Sequence, residues 1–204
     1  MVSKKPTALM TARQIDYTVI IPHYNIPELL GRCLRSIPEQ DNVQVIVVDD
    51  CSPDAENYSE RIPELSRCNV EFCSTLRGGS AGRARNVGIR RAKGKWLTFL
   101  DADDLFSDGI ADIMEENKNR QVDVMFFRTK AVLSDDLSRP SERNTTDRLF
   151  NYYFRDGVET YLRYEFEPPW GKFVRRSLVE KHNMLFEEIR YSNDAYFNNC
   201  IGVY

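Results

Sequence analysis

Three apolar, β-branched runs in the first half of the chain constrain its fold most strongly. They span 17–22, 43–48 and 95–100, and each is followed by acidic or imidazole side chains. Segments with apolar residues three and four positions apart separate the runs and predict helices. Strands that alternate with helices pair in parallel, so their carboxyl ends meet at one edge of the sheet, where such folds bind ligands. We therefore predict an α/β fold with a doubly wound, mainly parallel sheet flanked by helices.

The run at 95–100 ends in three aspartates within four positions, Asp101, Asp103 and Asp104. Carboxylates this close repel one another unless a proton or a cation neutralises them. On an extended backbone Asp101 and Asp103 point the same way, and such oxygen ligands suit a hard divalent ion such as Mg²⁺ or Mn²⁺. A solvated acidic turn that caps the next helix would have the same sequence. Polar clusters at two other strand ends on the same edge favour the metal site.

A helix is predicted from Ser80, a good N-cap, to about residue 93. Small residues recur along one of its faces, which lets the helix pack closely on the sheet. Arg85 lies in this stripe, and a guanidinium on a packing face needs an anionic partner. That partner is either a protein carboxylate, Asp50 or Asp101, or a ligand phosphate bound near the glycine pair at 78–79, where backbone amides are accessible.

Composition and cysteine use exclude several classes of protein. A formal net charge of -3 argues against a nucleic-acid-binding protein that works through a general basic surface. No apolar run approaches the roughly 20 residues that span a bilayer, and the N-terminal lysines precede no apolar segment, so we predict no signal peptide. The five cysteines are scattered without a Cys-x-x-Cys pair. We expect neither a disulfide framework nor a thiolate zinc site, and we assign the chain to a reducing, cytoplasmic setting.

The regular alternation of strands and helices does not extend over the whole chain. Residues 1–15 are polar without periodicity and predict a flexible leader, whereas 16–128 carry the strand and helix signals described above. Between 129 and 151 the pattern fades into a charged connection, and the remaining residues to 204 give weaker helical and strand signals. A length of 204 residues fits one substantial domain, so we treat 129–204 as its less regular half.

Four residues outside the acidic cluster allow two interpretations each. Tyr24, just beyond the first strand, could stack on a nucleotide base or simply pack. Asp50 could accept a hydrogen bond from a base or a ribose, or cap the next turn. Trp170 is either a core anchor or an apolar floor for a sugar ring. Asp194 is either the N-cap of a helix or a general base.

Taken together, these motifs resemble a family 2 glycosyltransferase of the GT-A fold. The matching segments are Val19–Asn25, Val47–Asp54, Ala84–Gly88 and Phe99–Asp104, and more loosely Trp170–Lys172 and Asn193–Phe197. They occur in the family's order and at its spacing over about the first 105 residues, and jointly they are specific. The looser matches extend the resemblance almost to the end of the chain.

The resemblance implies an inverting, nucleotide-sugar-dependent enzyme. It implies that 16–128 bind the nucleotide sugar, through the residues Pro22, Tyr24, Asp50, Arg85 and Asp101. The donor is expected to be a UDP-sugar, and the cofactor a divalent metal, Mg²⁺ or Mn²⁺.

The resemblance also implies roles around the metal and in the acceptor-side half, 129–204. Asp101 and Asp103 would bind the metal, Asp194 would be the catalytic base, and Trp170 would contact the acceptor side. The expected partners are the nucleotide-sugar donor and a saccharide or lipid-linked acceptor. No nucleic acid is expected, and peripheral association with the inner face of a membrane stays open.

The chain departs from the family pattern at two positions. The family commonly has Glu-Asp where this chain has Asn193-Asp194, and Gly where it has Cys51. Neither change removes a presumed catalytic carboxylate, but Asn193 takes one negative charge from the acceptor side.

Two other functions fit the same motifs. A nucleotidyltransferase also pairs a metal-binding carboxylate cluster with an α/β sheet, but the chain has no Gly/Lys/Arg-rich triphosphate loop after its first strand. A non-catalytic nucleotide-sugar-binding module is the third possibility. The carboxylates present at every expected position make this module the weaker alternative.

Overall fold

A single six-stranded sheet forms the centre of the protein, in the order β3-β2-β1-β4-β6-β5. The computed structural model describes residues 14–142 and 146–204. The strands are β1 Tyr17–His23, β2 Val43–Asp49, β3 Val70–Ser74, β4 Trp96–Phe99, β5 Val124–Phe126 and β6 Lys172–Arg175. β1 pairs in parallel with β2 and β4, and β2 pairs in parallel with β3. β6 is antiparallel to both of its neighbours, β4 and β5.

Helices connect the strands and cover both faces of the sheet. The α-helices are α1 Pro27–Arg35, α2 Tyr58–Arg61, α3 Ala81–Arg91, α4 Ile110–Asn117, α5 Asp147–Asp156, α6 Thr160–Tyr164, α7 Arg176–Lys181 and α8 Ala195–Val203. Short 3₁₀ turns lie at Ala55–Asn57 and Pro63–Ser66. Within the described ranges, no helix is long and apolar enough to cross a membrane.

The central strand β1 is buried along its whole length because both faces of the sheet are covered. Alternate side chains of a strand point to opposite faces. Val19 therefore packs in the core under α1 with Leu30, whereas Ile20 packs on the other face with Phe99 and Phe197. This arrangement confirms the predicted α/β class, with a mainly parallel sheet between helices.

Helix α3 packs against the sheet as closely as its small residues predict. A Cβ atom added to Gly88 would lie 2.4 Å from Cγ2 of Ile20, and one added to Gly82 would lie 2.1 Å from the carbonyl oxygen of Glu187. Ser80 caps the helix as predicted, because its Oγ accepts a hydrogen bond from the backbone N–H of Arg83 at 3.2 Å. This close packing fixes the position of α3, and hence of Arg85, relative to the sheet.

Two features of the fold go beyond the sequence-based prediction. The four-residue strand β6 runs antiparallel between β4 and β5, so the sheet is mainly but not wholly parallel. Helix α5 begins at Asp147, inside the segment 129–151 that was predicted as an irregular connection.

The leader predicted at 1–15 lies outside the described residues, apart from its last two positions. The sheet is continuous across the boundary predicted at 128/129, because β6 comes from the second half of the chain. The two predicted halves thus share one sheet.

Candidate active site

The carboxyl ends of β1, β2 and β4 meet at one edge of the sheet. His23 pairs in register with Asp49 at the ends of β1 and β2, and β4 ends just before the acidic turn at 101–104. Pro22 is buried in β1, whereas the next exposed side chain, Tyr24, is 58% accessible and faces solvent beyond the strand. The polar side chains that follow the three strands therefore lie along the edge predicted from the sequence.

Asp50 holds the glycine-containing loop that precedes α3. Its Oδ1 accepts a hydrogen bond from Oγ1 of Thr75 at 2.9 Å, and its Oδ2 accepts one from the backbone N–H of Gly79 at 2.8 Å. A Cβ on Gly78 would lie 3.0 Å from the Asp50 carbonyl oxygen, so the loop lies close against β2. An ionised carboxylate has about four lone-pair sites, so Asp50 can hold this loop and still accept a hydrogen bond from a ligand.

A buried histidine–aspartate pair, which the sequence analysis did not predict, supports the turns beside this edge. Nδ1 of His23 lies 2.9 Å from Oδ1 of Asp49, and both side chains are fully buried. Nε2 of His23 accepts a hydrogen bond from the backbone N–H of Ile26 at 3.1 Å. Nδ1 must therefore carry the hydrogen and donate a hydrogen bond to Asp49, which also accepts hydrogen bonds from the N–H and Oγ of Ser52. His23 and Asp49 lie at the ends of adjacent strands, and the register of those strands places them side by side.

Cys51 occupies a backbone conformation that favours glycine. Its φ is +64°, in the left-handed region, and its side chain is exposed. A Cβ atom in this region costs about 1–2 kcal/mol through its contact with the backbone. This geometry explains why glycine is the common residue of the family at this position.

Replacing Cys51 with glycine is expected to raise the free energy of unfolding by about 0.5–1 kcal/mol, because the release of left-handed strain exceeds the entropic cost of glycine. Urea denaturation measures the change. The matched control is Cys51→Ala, which keeps the strained Cβ and removes only the thiol contacts with Thr75, at 3.3 and 3.5 Å. A glycine variant no more stable than the alanine variant would contradict the strain assigned to this turn.

Arg85 is buried on the packing face of α3 and has two protein partners. Its Nη2 donates to Oδ1 of Asp101 at 2.7 Å and its Nη1 donates to Oδ1 of Asn193 at 2.8 Å. The guanidinium also lies over the ring of Phe186. The protein carboxylate that the sequence analysis offered as one alternative is therefore Asp101. Since Asn193 is neutral, only one of the two oxygen partners carries a charge, and the Nε atom of Arg85 is buried with no hydrogen-bond partner among the described residues.

The acidic turn after β4 is compact and carries excess negative charge. The backbone N–H of Asp104 donates to the carbonyl oxygen of Asp101 at 2.9 Å, and Arg32 donates to the carbonyl oxygen of Asp103 at 3.0 Å. Partial burial of its carboxyl raises the pKa of Asp104 to about 6, and the neighbouring carboxylates of Asp101 and Asp103 add to the rise. The turn therefore has unneutralised charge that a cation would stabilise.

The donor atoms of this turn fit part of a coordination shell for a hard divalent ion. Across the described ranges, no group of three or more His, Cys, Asp or Glu side chains is arranged to hold a metal alone. Mg²⁺ is commonly bound through one or two carboxylates and takes its other ligands from substrate phosphates and water. Asp103 is exposed and Asp101 uses only Oδ1 for Arg85, so two carboxylates remain able to act as such a partial set.

A pocket of about 540 Å³ opens beside the Arg85–Asp101 ion pair. Its wall includes four of the residues predicted to form the site, namely Arg85, Asp101, Trp170 and Asp194. Pro22, Tyr24, Asp50 and Asp103 are not among the residues that line it. The predicted site residues thus lie in two places. Four of them line a pocket between the two halves of the chain, and the others lie along the open edge of the sheet.

Trp170 packs in a small core and also lines the pocket. Its ring packs edge-on against Phe166, with centroids 6.2 Å apart, in a small core with Leu149 and Phe150. The residue is only half-buried and also lines the pocket. Gly171, with a φ of +69°, turns the chain directly after it into β6.

Asp194 occupies the N-cap position of α8, but its side chain makes no capping hydrogen bond. The structural role that its position suggests is therefore not filled by the carboxylate. Its backbone carbonyl accepts a hydrogen bond from the N–H of Asn198 at 3.0 Å, which fixes the start of the helix. The carboxylate lines the pocket instead.

Lys172 is a second residue near the site that the sequence analysis gave no role. Its side chain is almost completely buried at 2% exposure, in the first position of β6. Desolvation lowers the pKa of Lys172 to about 7, against the electrostatic effect of Asp194, which raises it. The available signal was a lysine at the head of an apolar strand run, where a buried charge is unusual.

Comparison with known proteins places the chain in a family. The sequence model of the glycosyl transferase family 2 matches residues 18–182. The chain is 27% identical over 195 residues to the uncharacterized glycosyltransferase EpsJ of Bacillus subtilis, covering 89% of this chain and 54% of EpsJ. It is 26% identical over 194 residues to the poly(ribitol-phosphate) beta-N-acetylglucosaminyltransferase TarS of Staphylococcus aureus, covering 90% of this chain and 32% of TarS.

Solved structures show the same fold. The structure of TarS in complex with UDP-GlcNAc superposes with a TM-score of 0.70 at 22% identity, covering 93% of this chain and 54% of that one. The mannosyltransferase PcManGT of Pyrobaculum calidifontis, in complex with GDP-Man and Mn²⁺, superposes with a TM-score of 0.58 at 21% identity, covering 95% and 54%. The chain spans about half or less of the length of these relatives. It belongs to glycosyl transferase family 2 and has the GT-A arrangement of sheet and helices.

Proposed function

We propose that this chain is the nucleotide-sugar-binding and catalytic part of an inverting glycosyltransferase that requires a divalent metal. It moves a sugar from a nucleotide diphosphate donor to an acceptor hydroxyl. The observation that carries the proposal is the pocket in which Asp194 and Trp170, from the second half of the chain, face the Arg85–Asp101 pair from the first half.

The open edge of the sheet is the proposed site for the nucleotide. Tyr24 is exposed beyond β1 and offers its ring to a base, while Pro22 shapes the end of that strand. Asp50 accepts hydrogen bonds from the base or the ribose with the lone pairs that Thr75 and Gly79 do not use. Residues 16–128 thus bind the nucleotide and 129–204 receive the acceptor. The UDP-GlcNAc bound to TarS supports a UDP-sugar as the donor.

Asp101 and Asp103 are the proposed ligands of Mg²⁺ or Mn²⁺. A divalent ion in this position would neutralise the charge that develops on the departing diphosphate. The excess negative charge of the acidic turn and the Mn²⁺ in the PcManGT complex support this assignment. Arg85 fixes Asp101 through its hydrogen bond.

Asp194 is the proposed general base. It takes the proton of the acceptor hydroxyl while that oxygen forms a bond to the anomeric carbon and the bond to the diphosphate breaks. A nucleoside diphosphate leaves as an anion and needs no proton, so one carboxylate suffices where a glycoside hydrolase uses two. A single displacement of this kind inverts the anomeric configuration. Trp170 contributes an apolar face against which a sugar ring can lie.

The acceptor is proposed to be a saccharide or lipid-linked hydroxyl compound. The relative TarS is named a poly(ribitol-phosphate) beta-N-acetylglucosaminyltransferase, which supports a polyol polymer as one candidate acceptor. The exposed Arg148 and the carboxylates of Glu165 and Glu167 at the pocket wall make this side polar. A cytoplasmic location and peripheral contact with a membrane remain part of the proposal.

Product analysis tests the proposed function against its rivals. The purified chain is incubated with Mn²⁺, a set of UDP- and GDP-sugars, and simple saccharide and polyol acceptors, with nucleoside triphosphates in parallel. We expect release of a nucleoside diphosphate and a new glycoside of inverted anomeric configuration. Pyrophosphate released from a triphosphate would identify a nucleotidyltransferase instead. Metal-dependent binding of a nucleotide sugar without turnover on water or any acceptor would identify a binding module.

A further inference from the structure

A buried lysine–amide pair connects two walls of the pocket. Nζ of Lys172, in β6, donates a hydrogen bond to the carbonyl oxygen of Phe166 at 2.7 Å and to Oδ1 of Asn198, in α8, at 2.5 Å. Both side chains are at least 95% buried. Nζ also lies over the ring of Phe166, 4.8 Å from its centroid. The lysine therefore joins the sheet to the segment that leads to Trp170 and to helix α8.

Asn198 extends this connection to the proposed base. Its Nδ2 donates to the carbonyl oxygen of Asp194 at 3.0 Å and to the carbonyl oxygen of Glu167. One amide therefore holds the backbone of the base-bearing residue together with the backbone of the opposite pocket wall. Asn198 can take both roles only in the orientation in which Lys172 occupies its Oδ1.

We propose that Lys172 is a positioning residue of the transfer reaction, which acts with Asn198 to hold Asp194 and the segment 165–170 at a fixed separation across the pocket. This inference rests on the proposed function, in which Asp194 is the base. A displacement of about 1 Å in a catalytic group can lower a rate about 100-fold. The hydrogen-bond network would keep the carboxylate of Asp194 at a constant distance from the pocket wall that leads to Trp170.

The choice of lysine at this buried position supports a functional role. Burying an amine costs free energy unless it is well paired, and an apolar side chain would fill the same space without that cost. Its environment consists of the Phe126 and Phe166 rings, a backbone carbonyl and a neutral amide. Its two hydrogen-bond acceptors belong to the segment that leads to Trp170 and to helix α8, whose N-cap is Asp194. The polar end of the lysine thus joins two elements of the pocket, which an apolar side chain could not do.

The test compares Lys172→Met with a control, Lys95→Met. Lys95 donates to the carbonyl oxygen of Lys118 at 2.8 Å, at the end of β4 opposite the pocket, so its loss removes a similar bond without touching the site. For Lys172→Met we expect kcat to fall about 100-fold, with the KM of the donor and the affinity for UDP changed less than threefold. The control should match the wild type.

Two further measurements keep the test decisive. If Lys172→Met does not fold, the double variant Lys172→Met/Asn198→Leu replaces both partners with apolar groups, which is a milder change than leaving one unpaired. It should fold and show the same loss of kcat. Hydrogen exchange of 165–170 and 194–198 should accelerate in both variants, a result that does not depend on turnover.

The outcomes separate this inference from the proposed function. A wild-type kcat in a folded Lys172 variant, or unchanged hydrogen exchange, would overturn the positioning role. A wild-type chain that transfers no sugar would overturn the proposed function instead, and the hydrogen-exchange result would then still decide whether Lys172 holds the two walls.

Discussion

Asp194→Asn is expected to lower the kcat of sugar transfer by about 10³-fold, in the range that general base catalysis contributes. The amide keeps the size of the side chain but cannot take the proton of the acceptor hydroxyl. The carboxylate makes no capping hydrogen bond in α8, so the variant should melt within about 2 °C of the wild type, as surface changes of ±0.5 kcal/mol do. Initial-rate kinetics, with calorimetric titration of UDP and Mn²⁺, give both readouts.

The control for this variant is Asp112→Asn, at an exposed position in the first turn of α4. It removes the same charge far from the pocket and should leave kcat unchanged. Retention of more than a tenth of the activity by Asp194→Asn would remove Asp194 from the role of base. A matching loss of nucleotide affinity would instead assign Asp194 to the donor site.

Asp103→Ala is expected to abolish transfer and, unlike Asp194→Asn, to weaken nucleotide binding in the presence of Mn²⁺ by at least about tenfold, or about 1.4 kcal/mol. Asp103 is exposed and its carboxylate accepts no hydrogen bond from the rest of the described chain, so its loss removes a proposed metal ligand and little structure. Nucleotide binding measured in the presence of EDTA should be the same for variant and wild type, because EDTA removes the metal that Asp103 would bind.

Asp108→Ala is the matched control, an exposed aspartate in the loop that follows the acidic turn. It should leave metal-dependent binding unchanged. Equal losses of nucleotide affinity in Asp103→Ala and Asp194→Asn would contradict the division between a metal-binding side and a base-bearing side.

The parts of the fold that are set locally could be predicted from the sequence. The apolar runs of β1, β2 and β4 and the small residues of α3 indicate their structures directly, because burial on both faces and close helix packing impose those residue types. Arg85 was expected to need an anion, and one of the two carboxylates named for it, Asp101, is its partner. The acidic turn lies at the sheet edge where parallel topology requires it.

The parts that depend on distant pairing could not be predicted in this way. Strand β6 has four residues and pairs with β5, which lies more than 40 positions earlier in the chain, so no local pattern shows its direction. The His23–Asp49 pair depends on strand register in the same way. The Lys172–Asn198 contact joins a strand to a helix 26 positions away.

The two departures from the family pattern have different physical consequences. Cys51 introduces left-handed strain that glycine would avoid. Asn193 places a neutral amide where the family commonly has a carboxylate, and its oxygen still accepts the hydrogen bond from Arg85. The arginine therefore keeps its position while more of its positive charge stays available to an anionic substrate.

A crystal structure of the chain with UDP and Mn²⁺, including anomalous diffraction from the manganese, tests the central claim most directly. We expect an anomalous peak in coordination contact with Asp101, Asp103 and the diphosphate. The nucleotide base should lie near Tyr24 and Asp50, and the β-phosphate should point toward the pocket that contains Asp194. A manganese site without Asp103, or a nucleotide bound away from the carboxyl ends of β1, β2 and β4, would contradict it.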